Sequence, residues 1–299
     1  MYDRVLITTD GTECSVTAAA HGLALADAFD AEVHVVTVVD VQAAGGVFDA
    51  GGLTADFVEA LDARAKKQVE AVASNADPAT TVHTEILKGT PSNEILRYAR
   101  ENDADLLVLG THGRSGVRRV ITGSVAERVV RLADVPVLTV REREETSLDT
   151  TYDRILVATD ASEDAEAAVE HALSLAARFD AEVHVLYVVD TSVIRPKLGN
   201  LVPETVRSAL ETVGKEALAA AEARAEDVGV DAVTEMVDGV PSRKILSYAD
   251  ENGADVVVVG THGRTGVDRL LLGSTTERIL RSASTPVLSV RRGDENGDE

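Results

Sequence analysis

The chain alternates short, unbroken apolar runs with longer stretches in which alanine, leucine and valine recur at helical spacing. In its first part, Arg4 to Thr9 is apolar and β-branched, Ser15 to Phe29 carries a helical period, and Glu32 to Val39 reads as strand again. A helix over Thr54 to Ser74 follows, then strand Val82 to Leu87, helix Pro91 to Asn102 with proline in its first turn, strand Asp105 to Gly110, helix Ser124 to Leu132 and strand Val135 to Val140. Strands that are apolar at successive positions, rather than at alternate ones, belong in a sheet covered on both faces. The alternation of strand and helix supplies the crossovers that cover it. The predicted class is α/β, with a doubly wound parallel sheet whose ligand crevice lies beyond the carboxyl ends of the strands, where the winding reverses.

The whole pattern then repeats. Tyr2-Asp3-Arg4-Val5-Leu6-Ile7 returns as Tyr152-Asp153-Arg154-Ile155-Leu156-Val157, an offset of 150 residues that also relates Glu32-Val33-His34-Val35 to Glu182-Val183-His184-Val185 and Gly110 to Gly260. An offset this long describes a duplicated domain, not a solenoid, whose repeats run to roughly 20–50 residues. We expect a first domain over residues 1–143, a linker over 144–151 within the charged, aperiodic run REREETSLDTT, a second domain over 152–292 and an acidic tail over 293–299. The segments after the second strand of each half, Val41 to Gly52 and Thr191 to Glu204, differ most between the copies. They either shape the crevice entrance or are drifting surface connections.

Candidate chemistry sits in a loop that also occurs twice. Gly110-Thr111-His112-Gly113, nine residues and Gly123-Ser124 are matched by Gly260-Thr261-His262-Gly263, nine residues and Gly273-Ser274. Each loop leaves an apolar strand and ends where a helix begins. Glycines let backbone N–H groups approach an anion, and Gly-Ser at a helix start adds a hydroxyl and the positive end of the helix dipole, so the pattern points to phosphate. Arg114, Arg118 and Arg119 crowd the first loop, while Arg264, Asp268 and Arg269 stand in the second. They read either as an anion-recognising fork or as a solvated loop surface.

Asp10 and Asp160 close the first strand of each half, and have two readings: a carboxylate facing a nucleoside, or an N-cap for the next helix. His112 and His262 read as a base or as residues that shape the loop; no Ser/His/Asp or Cys/His constellation surrounds them, and we assign no catalytic residue. His34 and His184, inside strands, read as structural. The G-x-x-x-x-G-K-[ST] loop of nucleotide hydrolases is missing, as are the G-x-G-x-x-G fingerprint after strand one and paired His/Cys spacings. No metal ligand is therefore assigned, and magnesium would enter only through nucleotide phosphates.

Composition narrows the partners. With 29 Lys and Arg against 51 Asp and Glu, the formal charge is −22, which repels nucleic acid and anionic membrane surfaces. A halophilic, salt-adapted acidic surface is the simplest reading. The lone Cys14 excludes an internal disulfide, no apolar stretch approaches the ~20 residues of a membrane span, and no signal sequence precedes the first strand, so the cytoplasm is the expected location.

Taken in this order, the duplicated strand, loop and Gly-Ser elements resemble the universal stress protein family, in its tandem two-domain, ATP-binding form. The resemblance covers nearly the whole chain outside the linker and tail. It implies a Rossmann-like, adenine nucleotide alpha hydrolase-like sheet of order 3-2-1-4-5 in each half. It also implies that ATP, AMP or another adenine nucleotide is the cofactor. Carried over residue by residue, it places Thr9 and Asp10 near adenosine and the Val38 backbone at adenine, with Gly110, Gly113, Gly123, Ser124 and Val125 around ribose and phosphates. The second-half counterparts are Thr159, Asp160, Val188, Gly260, Gly263, Gly273, Ser274 and Thr275, with Arg114 and Arg264 beside the phosphates. The family's fifth strand often mediates dimerisation, which implies an internal pseudo-dimer of the two halves and leaves further oligomerisation open. The functions in competition are a stress-response regulator that binds nucleotide and is read by a protein partner, a slow Mg-dependent ATP hydrolase or phosphotransferase, and a nucleotide-independent chaperone or scaffold.

Overall fold

The computed structural model describes residues 1–40, 55–111, 123–141, 150–190, 204–263 and 271–292. The chain divides into two compact units, Met1–Thr150 and Thr151–Glu299. The first runs β1 (Arg4–Thr8), α1 (Glu13–Phe29), β2 (Glu32–Val39), α2 (Ala55–Ala73), β3 (Val82–Lys88), α3 (Pro91–Glu101), β4 (Leu106–Gly110), α4 (Ser124–Leu132) and β5 (Val137–Val140). Its strands are parallel and lie in the order β3-β2-β1-β4-β5. The second runs β6 (Arg154–Thr159), α5 (Glu163–Phe179), β7 (Glu182–Val189), α6 (Glu204–Val228), β8 (Ala232–Asp238), α7 (Pro241–Asn252), β9 (Val256–Gly260), α8 (Ser274–Ser282) and β10 (Val287–Val290), in the corresponding order β8-β7-β6-β9-β10. The predicted doubly wound α/β class and the 3-2-1-4-5 order therefore hold in both units.

The unbroken apolar runs are the buried centre. Val5, Leu6 and Ile7 of β1 and Leu106, Leu107 and Val108 of β4 are all 0% exposed, which alternate residues of a one-faced sheet could not be. β3 and β8, outermost in their sheets, show mixed burial instead. Asp105, expected inside a strand, serves as an anchor: its Oδ2 accepts from the Asp3 and Arg4 amides at 2.9 Å each, fixing the start of β1 beside β4. Asp255 does the same for Asp153 and Arg154.

The constant offset breaks in one helix. The buried stripe Ala65, Val69 and Val72 of α2 corresponds to Gly214, Leu218 and Ala221 of α6, an offset of 149. Arg64 and Gln68 thus stand opposite Val213 and Ala217, and the two helices turn different side chains toward their sheets.

Gly110 and Gly260 show why glycine ends β4 and β9. A Cβ on Gly260 would lie 2.8 Å from the Asp164 carbonyl carbon and 2.9 Å from the Ala165 nitrogen; one on Gly110 would lie 2.9 Å from Cys14 Sγ and 3.0 Å from the Ser15 nitrogen. The obstacle is helix backbone, which cannot rotate away. Gly260→Ala is expected to destabilise the second unit by about 2–3 kcal/mol, the cost of forcing an extra carbon into a packed contact. A urea midpoint unchanged from wild type would contradict that packing.

Candidate functional site

In the first unit, a cleft of about 690 Å³ opens at the carboxyl ends of β1, β2 and β4, where the winding reverses. Thr9 and Asp10 form one wall, Thr37, Val38 and Asp40 another, and Gly110, Thr111, Gly123, Ser124 and Val125 a third. All the described first-half candidates therefore meet in one place: Thr9, Asp10, Val38, Gly110, Gly123, Ser124 and Val125. His112, Gly113, Arg114, Arg118 and Arg119 lie outside the described residues, as do Val41–Gly52, residues 191–203 of the matching second-half segment, and Arg264, Asp268 and Arg269.

Asp10 is not the helix cap. Thr12 holds that position for α1, its side chain accepting from the Ser15 amide at 3.3 Å. Asp10 Oδ1 instead accepts from the Thr12 amide at 3.1 Å and the Thr12 hydroxyl at 2.6 Å, an Asx turn that presents the carboxylate at the cleft wall. The Asp10 carbonyl accepts from Gln68 Nε2 at 2.6 Å, and Thr37 Oγ1 donates to Gln68 Oε1 at 3.3 Å, so α2 is tied to the strand ends beneath the cleft. In the second unit, Ser162 caps α5 and Asp160 Oδ1 accepts from the Ser162 amide at 3.0 Å. Gly11, at φ +75°, is replaced there by Ala161 at φ 60°, a left-handed conformation that carries strain for a residue with a Cβ.

The loop's two ends are pinned together. Gly123 N donates to the Thr111 carbonyl at 2.6 Å and Gly273 N to the Thr261 carbonyl at 2.8 Å, so each connection starts and ends at the cleft. Gly123 and Gly273 are the N-cap residues of α4 and α8, and a glycine has no side chain with which to cap the first-turn N–H groups. Arg128, one turn into α4, and Arg64 of α2 also line the cleft. Sequence reading missed both, together with Gln68. Arg128 follows Ser124 at helical spacing and was legible in principle, whereas Arg64 and Gln68 come from a helix distant in sequence.

Thr159, Asp160, Gly260, Gly263, Gly273, Ser274 and Thr275 occupy corresponding positions at the ends of β6 and β9, with Val188 at the end of β7. A Cβ on Gly263 would lie 2.6 Å from Asp160 Oδ2, so the loop runs close against this carboxylate. A feature peculiar to this half is Asp164, where the first half has Cys14. Asp164 Oδ2 accepts from Thr261 Oγ1 at 2.8 Å and from the His262 amide at 2.9 Å, and meets His262 Nδ1 at 3.0 Å; Oδ1 accepts from the Arg292 amide at 3.0 Å. Burial opposes its charged form, but these hydrogen bonds outweigh that and hold the carboxyl below its ordinary range. The Ser162 hydroxyl donates to the His262 carbonyl, and Asp164 and His262 together form a loop staple.

Known proteins show the same division. Residues 1–141 and 151–291 each match the universal stress protein family model. A universal stress protein of Mycolicibacterium smegmatis is 30% identical over 297 residues, covering 96% of both chains. One from Methanocaldococcus jannaschii is 42% identical over 143 residues, covering 47% of this chain and 83% of its own. The crystal structure of a universal stress protein from Archaeoglobus fulgidus shares the fold, with a TM-score of 0.68 at 23% identity over 98% of this chain and 97% of the other.

Proposed function

The chain belongs to the universal stress protein family, with the family's domain in each half, and from that premise we propose that it is a regulatory protein that binds an adenine nucleotide, ATP or AMP. The observation that carries this reading is the first-half cleft, where a helix start with a glycine N-cap, Gly123-Ser124, and the guanidinium-bearing Arg64 and Arg128 converge beside the apolar Val38 and Val39. Its volume of about 690 Å³ lies within the range of small-molecule sites. The phosphates belong on the α4 N-terminus, and the nucleoside belongs between Asp10 and the end of β2. Magnesium would be held through the phosphates. The reading is of binding, with occupancy biasing a surface that a protein partner detects. The acidic surface fits a concentrated-salt cytoplasm.

The test is to purify the full chain in high salt, strip it of nucleotide and titrate it calorimetrically with ATP, AMP and GTP. Saturable binding of an adenine nucleotide, weakened at least about tenfold by Arg128→Ala as expected for a lost charge-assisted contact, supports the proposal. A folded chain that binds none of them, or binds GTP equally well, overturns it.

A further inference from the structure

A second cluster lies at the opposite ends of the strands from the cleft. Glu32 and His34 are two residues apart on β2, hence on one face, and the parallel register sets His34 beside His83 of β3. His83 Nε2 lies 2.6 Å and His34 Nε2 3.4 Å from Glu32 Oε1, and the three ligand-capable atoms fall within 4.8 Å of one another. Tyr98 of α3 closes one side, its hydroxyl 2.9 Å from His34 Nδ1. The hollow is also lined by Glu85, Glu101 and Asp103.

His34 carries the argument. Its side chain is only 9% exposed, and among the described residues its buried Nε2 has no closer polar approach than the long 3.4 Å one to Glu32 Oε1. In the tautomer that donates Nδ1–H to Tyr98, Nε2 presents a lone pair toward a carboxylate oxygen, an arrangement that a cation between them would resolve. Arg4 does not fill that place: it reaches Glu32 through Oε2, at 3.5 Å, and also donates to the Asn102 carbonyl. We infer that Glu32, His34 and His83 form a binding site for a borderline divalent cation such as Zn²⁺, with water completing the coordination. Two imidazoles and a carboxylate are a zinc donor set, and ligand atoms about 2.0–2.1 Å from the metal stand roughly 3.3 Å apart in a tetrahedron. The half-exposed His83 ring has the freedom to make that adjustment.

The second unit is a built-in control. Glu182, His184 and Tyr248 repeat Glu32, His34 and Tyr98, but Val233 stands where His83 does. There His184 Nε2 lies 2.8 Å from Glu182 Oε2 and is satisfied directly. The third ligand, not the whole arrangement, distinguishes the halves.

The experiment uses the nucleotide-free full chain in excess Mg²⁺, which occupies nonspecific carboxylate sites, titrated with Zn²⁺ and, for its visible absorption, Co²⁺. Expected is one ion per chain, with binding weakened at least about 100-fold by His83→Val and roughly 10- to 100-fold by Tyr98→Phe, which removes the orienting hydroxyl. Val233→His, at a position already 40% exposed, should raise the count to two. A folded wild type that binds no Zn²⁺, or stoichiometry and affinity unchanged in His83→Val, overturns the assignment. Neither result bears on the nucleotide proposal, because the variants lie away from the cleft.

Discussion

Asp164→Ala is expected to lower the stability of the second unit by about 3 kcal/mol and to release the start of its glycine loop. One carboxylate there receives the Thr261 hydroxyl, the His262 amide, the His262 ring and the Arg292 amide, so truncation strands several donors at once. Hydrogen bonds to a charged acceptor contribute roughly 1.5–3 kcal/mol each in isolation, and stranded buried donors add to the loss while local relaxation recovers part of it. Denaturant unfolding measures the total, and amide exchange at His262 and Arg292 localises it. A loss below about 1 kcal/mol with unchanged exchange would mean that the staple is dispensable.

The pH dependence has a definite sign. Because the folded-state pKa of Asp164 is depressed, its contribution is complete above the unfolded carboxylate value, about 3.9, and disappears as pH falls through the lower folded value. Asp164→Asn, which cannot ionise, should therefore be less stable than wild type at pH 7, and the gap should narrow only in acid, below about pH 4. A gap that stays constant from pH 7 to pH 3 would show that the charge itself contributes nothing.

The sheet was readable because burial on both faces forces successive apolar residues, as in Val5-Leu6-Ile7 and Leu106-Leu107-Val108, and no other common element has that signature at that length. The helix starts at Ser124 and Ser274 were readable from Gly-Ser, because glycine frees the backbone at the N-cap position. Contacts between segments distant in sequence were not. Asp164 and His262 are 98 residues apart, and spacing rules detect only ligands on one helix or one turn. Glu32-x-His34 was visible as a strand pair, but its third member arrives through the β2–β3 register, so a reading based on His/Cys spacing assigned no metal site. Asp10 stayed ambiguous between a cap and a ligand because both roles use the same residue at the same strand end. Only the hydrogen bonds of Thr12 separate them.

The one-residue shift between α2 and α6 makes the strand-end surroundings of the two halves differ, which bears on the proposed nucleotide sites. Thr37, which lines the first cleft and holds Gln68, is replaced by Tyr187, which is 3% exposed; its ring lies 2.6 Å from where a Gly214 Cβ would be. Tyrosine thus fills the gap between β7 and α6 that Thr37 and Gln68 leave lined with polar groups, and Val213 replaces the cationic Arg64. Nucleotide is accordingly expected to bind the first half more tightly. Giving the first cleft the corresponding second-half residues, through Thr37→Tyr with Gln68→Ala, should weaken its adenine-nucleotide affinity at least about 100-fold, close to 2.7 kcal/mol. Two causes act together: the ring occupies ligand volume, and the Asp10 carbonyl loses its 2.6 Å hydrogen bond from Gln68. The reciprocal Tyr187→Thr removes the ring from the second half but leaves Val213 where the first half has Arg64, so it should gain less than the first site loses. Calorimetric titration of both variants decides the matter: if the double substitution leaves the tighter binding event unchanged, that event does not belong to the first cleft.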